Sequence, residues 1–170
     1  MVQRGKPILA TMARPFDLPA EGAEASDVID RLFAARQRVR EHHVFGKGMG
    51  LAAPQIGIDG AAAVIAPPDA DAGPLNPRVI NASPETDEQY EGCLSFFDVR
   101  DLVPRPLRLE IAPTRLDGQS VVVLNAALAR LAGYEIDHLY RHLYTDRMRE
   151  GVHPIPVEDH RGTGHAWSYR

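Results

Sequence analysis

A handful of side chains in this sequence have both the reactivity and the neighbours for bond-making chemistry. Cys93 stands in the segment EGCLS, between Gly92 and Leu94. A cysteine there serves either as a nucleophile, which needs a histidine base, or as a metal ligand, whose partners come from another element. Glu135 and His138 stand in YEIDHL, Tyr134–Leu139. Residues four apart share one face of a helix, so an HExxH pattern delivers two histidines to one metal, with its glutamate as proton acceptor. Here Tyr134 holds the first histidine position. Gln55 ends GMGLAAPQ, where Gly48 and Gly50 permit close backbone approach and the glutamine amide offers a donor and an acceptor. Taken singly these signals are weak. Gly-Ala loops are common turns, a lone cysteine is more often a small buried hydrophobe, and a Glu/His pair is more often a solvated acid and a structural histidine. The glycine loop also lacks the Lys-Ser/Thr ending of a phosphate loop.

These residues need a scaffold, and the chain supplies enough for one. Its 170 residues and 44% hydrophobic content suit a single domain with one core, followed by a polar tail from about residue 151. A net charge of −4, with Lys and Arg scattered, argues against nucleic acid or an anionic membrane as partner. One cysteine makes no internal disulfide, the opening MVQRGKPILATMARPFD has no signal-peptide core, and no apolar run is long enough to span a bilayer. The expected compartment is the cytoplasm.

Periodicity places the elements. Residues 1–25 are rich in Pro, Ala and Gly and read as a surface wrap. Ser26 is a candidate cap for a helix from Asp27 to about His43, with Val28, Leu32, Ala35 and Val39 as its apolar stripe. His42 and His43 would end it, where cations suit the helix dipole. Residues 46–60 read as loop and extended chain, Ala61–Ala66 as a short buried strand and Arg78–Asn81 as another. The stretch from Glu91 to Pro106 is extended. Leu107, Leu109 and Ile111 alternate with charged residues, Asp117-Gly118 signals a hairpin, and Ser120–Leu124 returns as the partner strand. Asn125 is a candidate cap for a long helix from Ala126 to about Arg149, ended by Gly151, Pro154 and Pro156. The tail reads as polar and turn-rich, with Trp167 and Tyr169 as packing anchors. The expected fold class is α+β, with mainly antiparallel sheets packed around the central helix that carries YEIDHL.

The three segments in this order resemble the peptide deformylase family, which is marked by a GxGLAAxQ loop, an EGCLS segment and a QHExDH helix. The first two match at every fixed position; the third matches at Glu135, Asp137, His138 and Leu139. The resemblance extends over Arg100–Arg105 and runs from about Leu51 to Tyr144. It implies one divalent ion, Fe²⁺ first with Zn²⁺ or Ni²⁺ as substitutes, and hydrolysis of an N-formylated peptide or small molecule. On the resemblance Cys93 and His138 are metal ligands, and Glu135 is the general base and then the acid for the leaving amine. Gln55 and the Leu94 N–H hold the developing oxyanion, with Gly50 in the same wall. Gly48, Glu91, Gly92, Phe96 and Arg100 border the substrate.

Tyr134 departs from this pattern where the family has a ligand. Tyr134 could bind the ion as phenolate; His142, four residues beyond His138, or Glu135 could substitute; a two-ligand site could hold metal weakly; or the pocket could serve binding alone. A cysteine hydrolase with Cys93 as nucleophile and His138 as base is a further reading. Phe96, Phe97 and Asp98 replace the family's small or proline-containing stretch, one phenylalanine being expected in the core and the other at the substrate pocket. Arg141 replaces a common glycine. These changes point towards a specialised N-formyl substrate in place of nascent formyl-methionine peptides.

Overall fold

The computed structural model describes residues 1–43, 49–66, 73–115, 118–119 and 121–162. Three small antiparallel assemblies surround one buried helix. The first pairs β1 (Met49–Ala52) with β2 (Ala63–Ala66), and Ala53–Ile56 continues β1 as a 3-10 turn. The second centres on β6 (Arg108–Arg115), flanked by β3 (Leu75–Ala82) and, on its other side, by β7 (Gly118–Gln119) and β8 (Val122–Asn125). The third is a hairpin of β4 (Thr86–Cys93) and β5 (Phe96–Pro106), joined by Leu94 and Ser95 and extended by β9 (Ile155–Pro156). The expected α+β architecture is therefore present. Arg108 lies opposite Asn125 and Ile111 opposite Val122, as the alternating pattern requires. Asp117 and Ser120 fall outside the described residues, as do Trp167 and Tyr169 in the tail.

Helix α1 spans Gly22–Arg40, starting earlier than Ser26 suggests. The helix formers in EGAEAS extend it, and the Glu21 carboxylate receives the Asp17 N–H at 2.7 Å and pairs with Arg14 at 2.8 Å. Ala25, Val28, Leu32 and Ala35 pack on Leu51, Ala53 and Val64 beneath. The segment 82–90, whose polarity masks a strand, becomes most of β4. Its Gln89, Glu91 and Cys93 alternate inward, facing a β5 side that buries Asp101, Val103 and Arg105.

Helix α2 spans Ala126–Leu139 and not to Arg149. Tyr140 caps it, Arg141 turns left-handed at φ 62°, and the His142 N–H returns to the Asp137 carbonyl at 2.9 Å. The backbone leaves the helix through an αL residue, so spacing beyond Leu139 no longer reports a helix face. The face that packs most tightly is made of small residues, Ala129, Ala132 and Gly133, with Ile136 against Leu109 and Ile111. Such residues let strands approach closely, and a Cβ on Gly133 would stand 3.1 Å from Leu109. The described part of the tail, up to Gly162, contains regular structure. Val99 and Arg100 of β5 pair with Pro156 and Ile155, and α3 (Val157–Gly162) follows. No helix among the described residues is long and apolar enough to cross a membrane.

Candidate active site

The hairpin, the β1 loop and α2 meet at one point. The β4–β5 register shifts between Glu91 and Cys93, a bulge at Gly92 of the kind that re-aims side chains next to functional sites. Cys93 leaves this bulge buried, its Sγ 3.6 Å from His138 Nε2. Gln55 arrives from the 3-10 turn. Its Oε1 accepts the Ala52 N–H at 2.9 Å, which leaves Nε2 aimed at Cys93 Sγ, 3.7 Å away. The Ser95 N–H approaches the same sulfur at 3.4 Å. Leu94 is the first residue of the turn between them.

Glu135 lies one turn before His138 and presses against the Cα of Gly50. A Cβ at Gly50 would overlap the Glu135 carboxyl group, so this position requires glycine for close approach. Gln55, Cys93, Glu135 and His138 are each no more than 2% exposed. Burial sets their proton affinities. It pushes the Glu135 carboxyl well above the usual carboxylate range, against the pull of Arg105 and with the help of Glu91 and Asp137. It lowers His138 to about 4, so the imidazole is neutral and able to act as a ligand. It also raises the Cys93 thiol.

The ligand geometry can be tested directly. Zinc holds thiolate sulfur at about 2.3 Å and imidazole nitrogen at about 2.0–2.1 Å, so two tetrahedral ligands stand roughly 3.6 Å apart. The Cys93–His138 separation has that value. The third corner is different. The Tyr134 hydroxyl donates to the Gly92 carbonyl at 2.9 Å, and its ring packs edge-on to His138 at 5.2 Å. Burial, with Cys93 and Glu135 nearby, drives its pKa well above that of a free phenol. As placed, the Tyr134 hydroxyl serves as a hydrogen-bond donor to Gly92 beside the Cys93 thiol. His142 supplies no substitute. It lies beyond the end of α2 with its side chain 43% exposed, 4.0 Å from Asp146. Among the described residues no three His, Cys, Asp or Glu side chains gather as a metal site. Cys93 and His138 are thus spaced as two ligands of one divalent ion would be.

Some expected substrate residues have other occupations. Glu91 does not face a substrate: it is 2% exposed and bridged by Arg105 and Arg130. Phe96 is the core phenylalanine, stacked on Tyr144 at 4.9 Å and packed near Cys93 and Val103, whereas Phe97 lines an open cleft. Arg100 donates to the Phe97 and Val99 carbonyls at 2.7 Å and abuts Gly92. Gly48 lies outside the described residues.

The sequence reading missed Arg130. This arginine is 2% exposed and reaches Glu91 at 2.6 Å and Asp87 at 2.8 Å. Arg105 joins Glu91 to Asp137, and Arg147 binds the other side of Asp137. The available signal was Arg130 standing one turn before Tyr134 on α2, with opposite charges inside the flanking motifs. The N-terminal segment also touches the site: the Val2 N–H donates to the Gln55 carbonyl and the Arg4 N–H to the Ser95 carbonyl, both at 2.8 Å.

Comparison with known proteins points to one family. The polypeptide deformylase family model matches residues 1–153. A peptide deformylase of Shouchella clausii is 35% identical over 165 residues, covering 89% of this chain and 90% of the relative. One from Lactobacillus gasseri is 34% identical over 161 residues, covering 86% and 87%. Among solved structures, a class I type b peptide deformylase from Acinetobacter baumannii superposes with a TM-score of 0.76 at 28% identity, over 86% of this chain and 96% of that one. The Thermotoga maritima peptide deformylase gives 0.75 at 28% identity, over 88% and 96%. Motif order, the α+β fold and this similarity along nearly the whole chain have one explanation: the chain belongs to the peptide deformylase family.

Proposed function

We propose that this chain hydrolyses an N-formyl amide to formate and a free amine, with a specialised compound as substrate. The observation that supports this most is the convergence of Gln55, Cys93, Glu135 and His138, from three distant segments, within hydrogen-bonding reach of one sulfur or around it. Cys93 and His138 would hold the ion, and their thiolate and imidazole donors suit Fe²⁺, Zn²⁺ or Ni²⁺. When bound, such an ion supplies Lewis-acid activation of water.

The chain's own groups account for the rest of the reaction. Gln55 Nε2 and the Leu94 N–H orient the formyl oxygen and stabilise the charge it gains. Glu135 accepts the proton of the attacking water as the C–O bond forms. It then returns that proton to the amine nitrogen as the C–N bond breaks. Its raised proton affinity, caused by burial, lets it hold the proton between the two steps. The Gly50 wall holds the carboxyl group in place.

One observation favours a second reading, binding without turnover. Tyr134 stands in the sequence where the family has its third ligand and its hydroxyl is bonded to Gly92, so an ion would be held by fewer protein ligands than the resemblance implies. A single experiment separates the two. Protein purified without oxygen or chelators is analysed for metal, and formate release from N-formyl substrates is followed with and without a chelator. Metal-dependent, multiple-turnover formate release is the expected result. Saturable binding of N-formyl ligands with no formate released would establish the second reading. Release that survives complete chelation would instead favour Cys93 as a nucleophile.

A further inference from the structure

A cleft of about 1160 Å³ opens beside this centre, between the C-terminal half of α1 and the first residues of the chain. It shares a wall with the active site. Ile56 follows Gln55, Leu94 follows Cys93, and Val2 donates to the Gln55 carbonyl; all three line the cleft. A molecule whose head lies at Cys93 therefore has this space within reach for its body.

The lining has a marked charge bias. Arg31, Ala35, Arg38 and His42 recur at spacings of four, three and four, so they follow one face of α1 and the turn after it. Ala34 and Ala35 keep the floor low between the arginines. The two guanidinium groups start about 10 Å apart along the helix axis. Among the described residues no Asp or Glu lines the cleft, although the chain carries 23 acidic residues against 19 Lys and Arg. The carboxylate beside Arg31 is Asp27, 3.8 Å away, and both side chains are more than half exposed. Such a pair is worth little and yields readily to a better anion. Phe97, Leu94 and Ile56 add an apolar side. Arginine presents a planar fork matched to carboxylate and phosphate.

We propose that this cleft receives the far end of the substrate, and that this end carries an anionic group, a carboxylate or a phosphate. The substrate class is then an acidic N-formyl compound. The inference rests on the N-formyl reading above, and its test separates the two.

Four tripeptide amides serve as probes: formyl-Met-Ala-Asp, formyl-Met-Ala-Asn, their phosphoserine counterpart, and acetyl-Met-Ala-Asp. Affinities are measured by calorimetry on chelator-treated protein, which binds the probes without turning them over, and on the Arg31→Gln/Arg38→Gln double variant treated likewise. Both arginines are on an exposed helix face, and an unchanged urea midpoint verifies the fold. The expected result is binding of the acidic formyl probes about tenfold tighter than the asparagine probe, the worth of one charge-assisted hydrogen bond. That preference falls to less than about twofold in the variant, while affinity for the asparagine probe is unchanged. Whether the aspartate or the phosphoserine probe binds tighter identifies the anion. Equal binding of charged and neutral probes by the original protein overturns the proposal, as does a preference that survives in the variant. If the acetyl probe matches its formyl counterpart and the arginine dependence persists, the cleft stands and the N-formyl reading fails. If formyl matters and charge does not, the reverse holds.

Discussion

Two polar clusters are buried side by side along α2, and they treat their atoms in opposite ways. In the first, both Asp137 oxygens are bonded, to Arg105 at 2.5 Å and to Arg147 at 2.6 Å, and both Glu91 oxygens are bonded, to Arg105 and Arg130. In the second, Glu135 Oε2 and His138 Nδ1 are buried with no hydrogen-bond partner among the described residues. The contrast extends to proton affinity. Burial alone would raise Asp137, but the Arg147 hydrogen bond and the Arg105 charge hold it below its ordinary value, whereas Glu135, two residues earlier, is driven up. Carboxylates paired on both oxygens have nothing left to offer a cation and serve as scaffold; the atom left over in this cluster, Arg130 Nε, is a donor. Unsatisfied polar atoms are costly to bury, and a fold keeps them where a substrate or ion will complete them. Two carboxylates on one helix thus have two roles, set by their surroundings.

The scaffold side is the place to expect the largest effect. Arg105→Leu removes the bridge between Glu91 and Asp137 and leaves two buried carboxylates short of a partner. Breaking one side of a buried ion pair costs about 3–5 kcal/mol. Urea unfolding should show a loss of that size, and a loss below about 1 kcal/mol would mean that Arg130 and Arg147 alone neutralise the cluster.

The reactive side should respond in the opposite sense. Gln55→Ala removes the proposed oxyanion donor. Formate release is expected to fall by about 10²–10³ in kcat, with little change in KM. Stability should drop by about 1–3 kcal/mol, because the buried Ala52 N–H loses its acceptor. A variant that loses stability but keeps its turnover would place Gln55 with the scaffold and undo the comparison.

Between the two lies Tyr134, which belongs by position to the reactive cluster and by bonding to the scaffold. Tyr134→His frees the Gly92 carbonyl and offers a third ligand to an ion at Cys93 and His138. Zinc affinity, read by competition with a chromophoric chelator, should rise at least about tenfold, by the measure that even outer partners of a metal site carry 10–100-fold. An unchanged affinity would show that the phenol does not stand at the third corner.

The reactive cluster was legible in the sequence, and the scaffold largely was not. Gln55, Cys93, Glu135 and His138 are rare types at motif spacing, and helical periodicity brings Glu135 and His138 together without tertiary information. Arg130, Glu91 and Asp137 look like solvated charges, because a sequence pattern cannot show that opposite charges from β4, β5 and α2 meet and cancel. The same blindness hid β4, whose inward positions are partly ionic, so its alternation is not apolar against polar. The two phenylalanines differ only in which face of β5 they take, a matter of register at the Gly92 bulge. His142 failed as a ligand candidate because the end of α2 is set by backbone conformation at Arg141, which no side-chain spacing records.

That helix end supports the smallest prediction, and it lies outside both clusters. Arg141 sits at φ 62° just beyond the cap Tyr140, where chains usually place glycine. An L-residue in that conformation costs roughly 1–2 kcal/mol, and glycine avoids the cost. Glycine also gives the unfolded chain more freedom, a penalty of about 0.5–1 kcal/mol. The first effect is the larger, so Arg141→Gly should stabilise the protein by about 0.5–1 kcal/mol, raising the urea midpoint without changing its slope. Turnover and metal affinity should stay put, since the exposed Arg141 side chain touches neither cluster. A gain in stability with a loss of turnover would mean that the strained turn also positions His138, three residues upstream, and the boundary between scaffold and reactive cluster would then have to be drawn beyond the helix end.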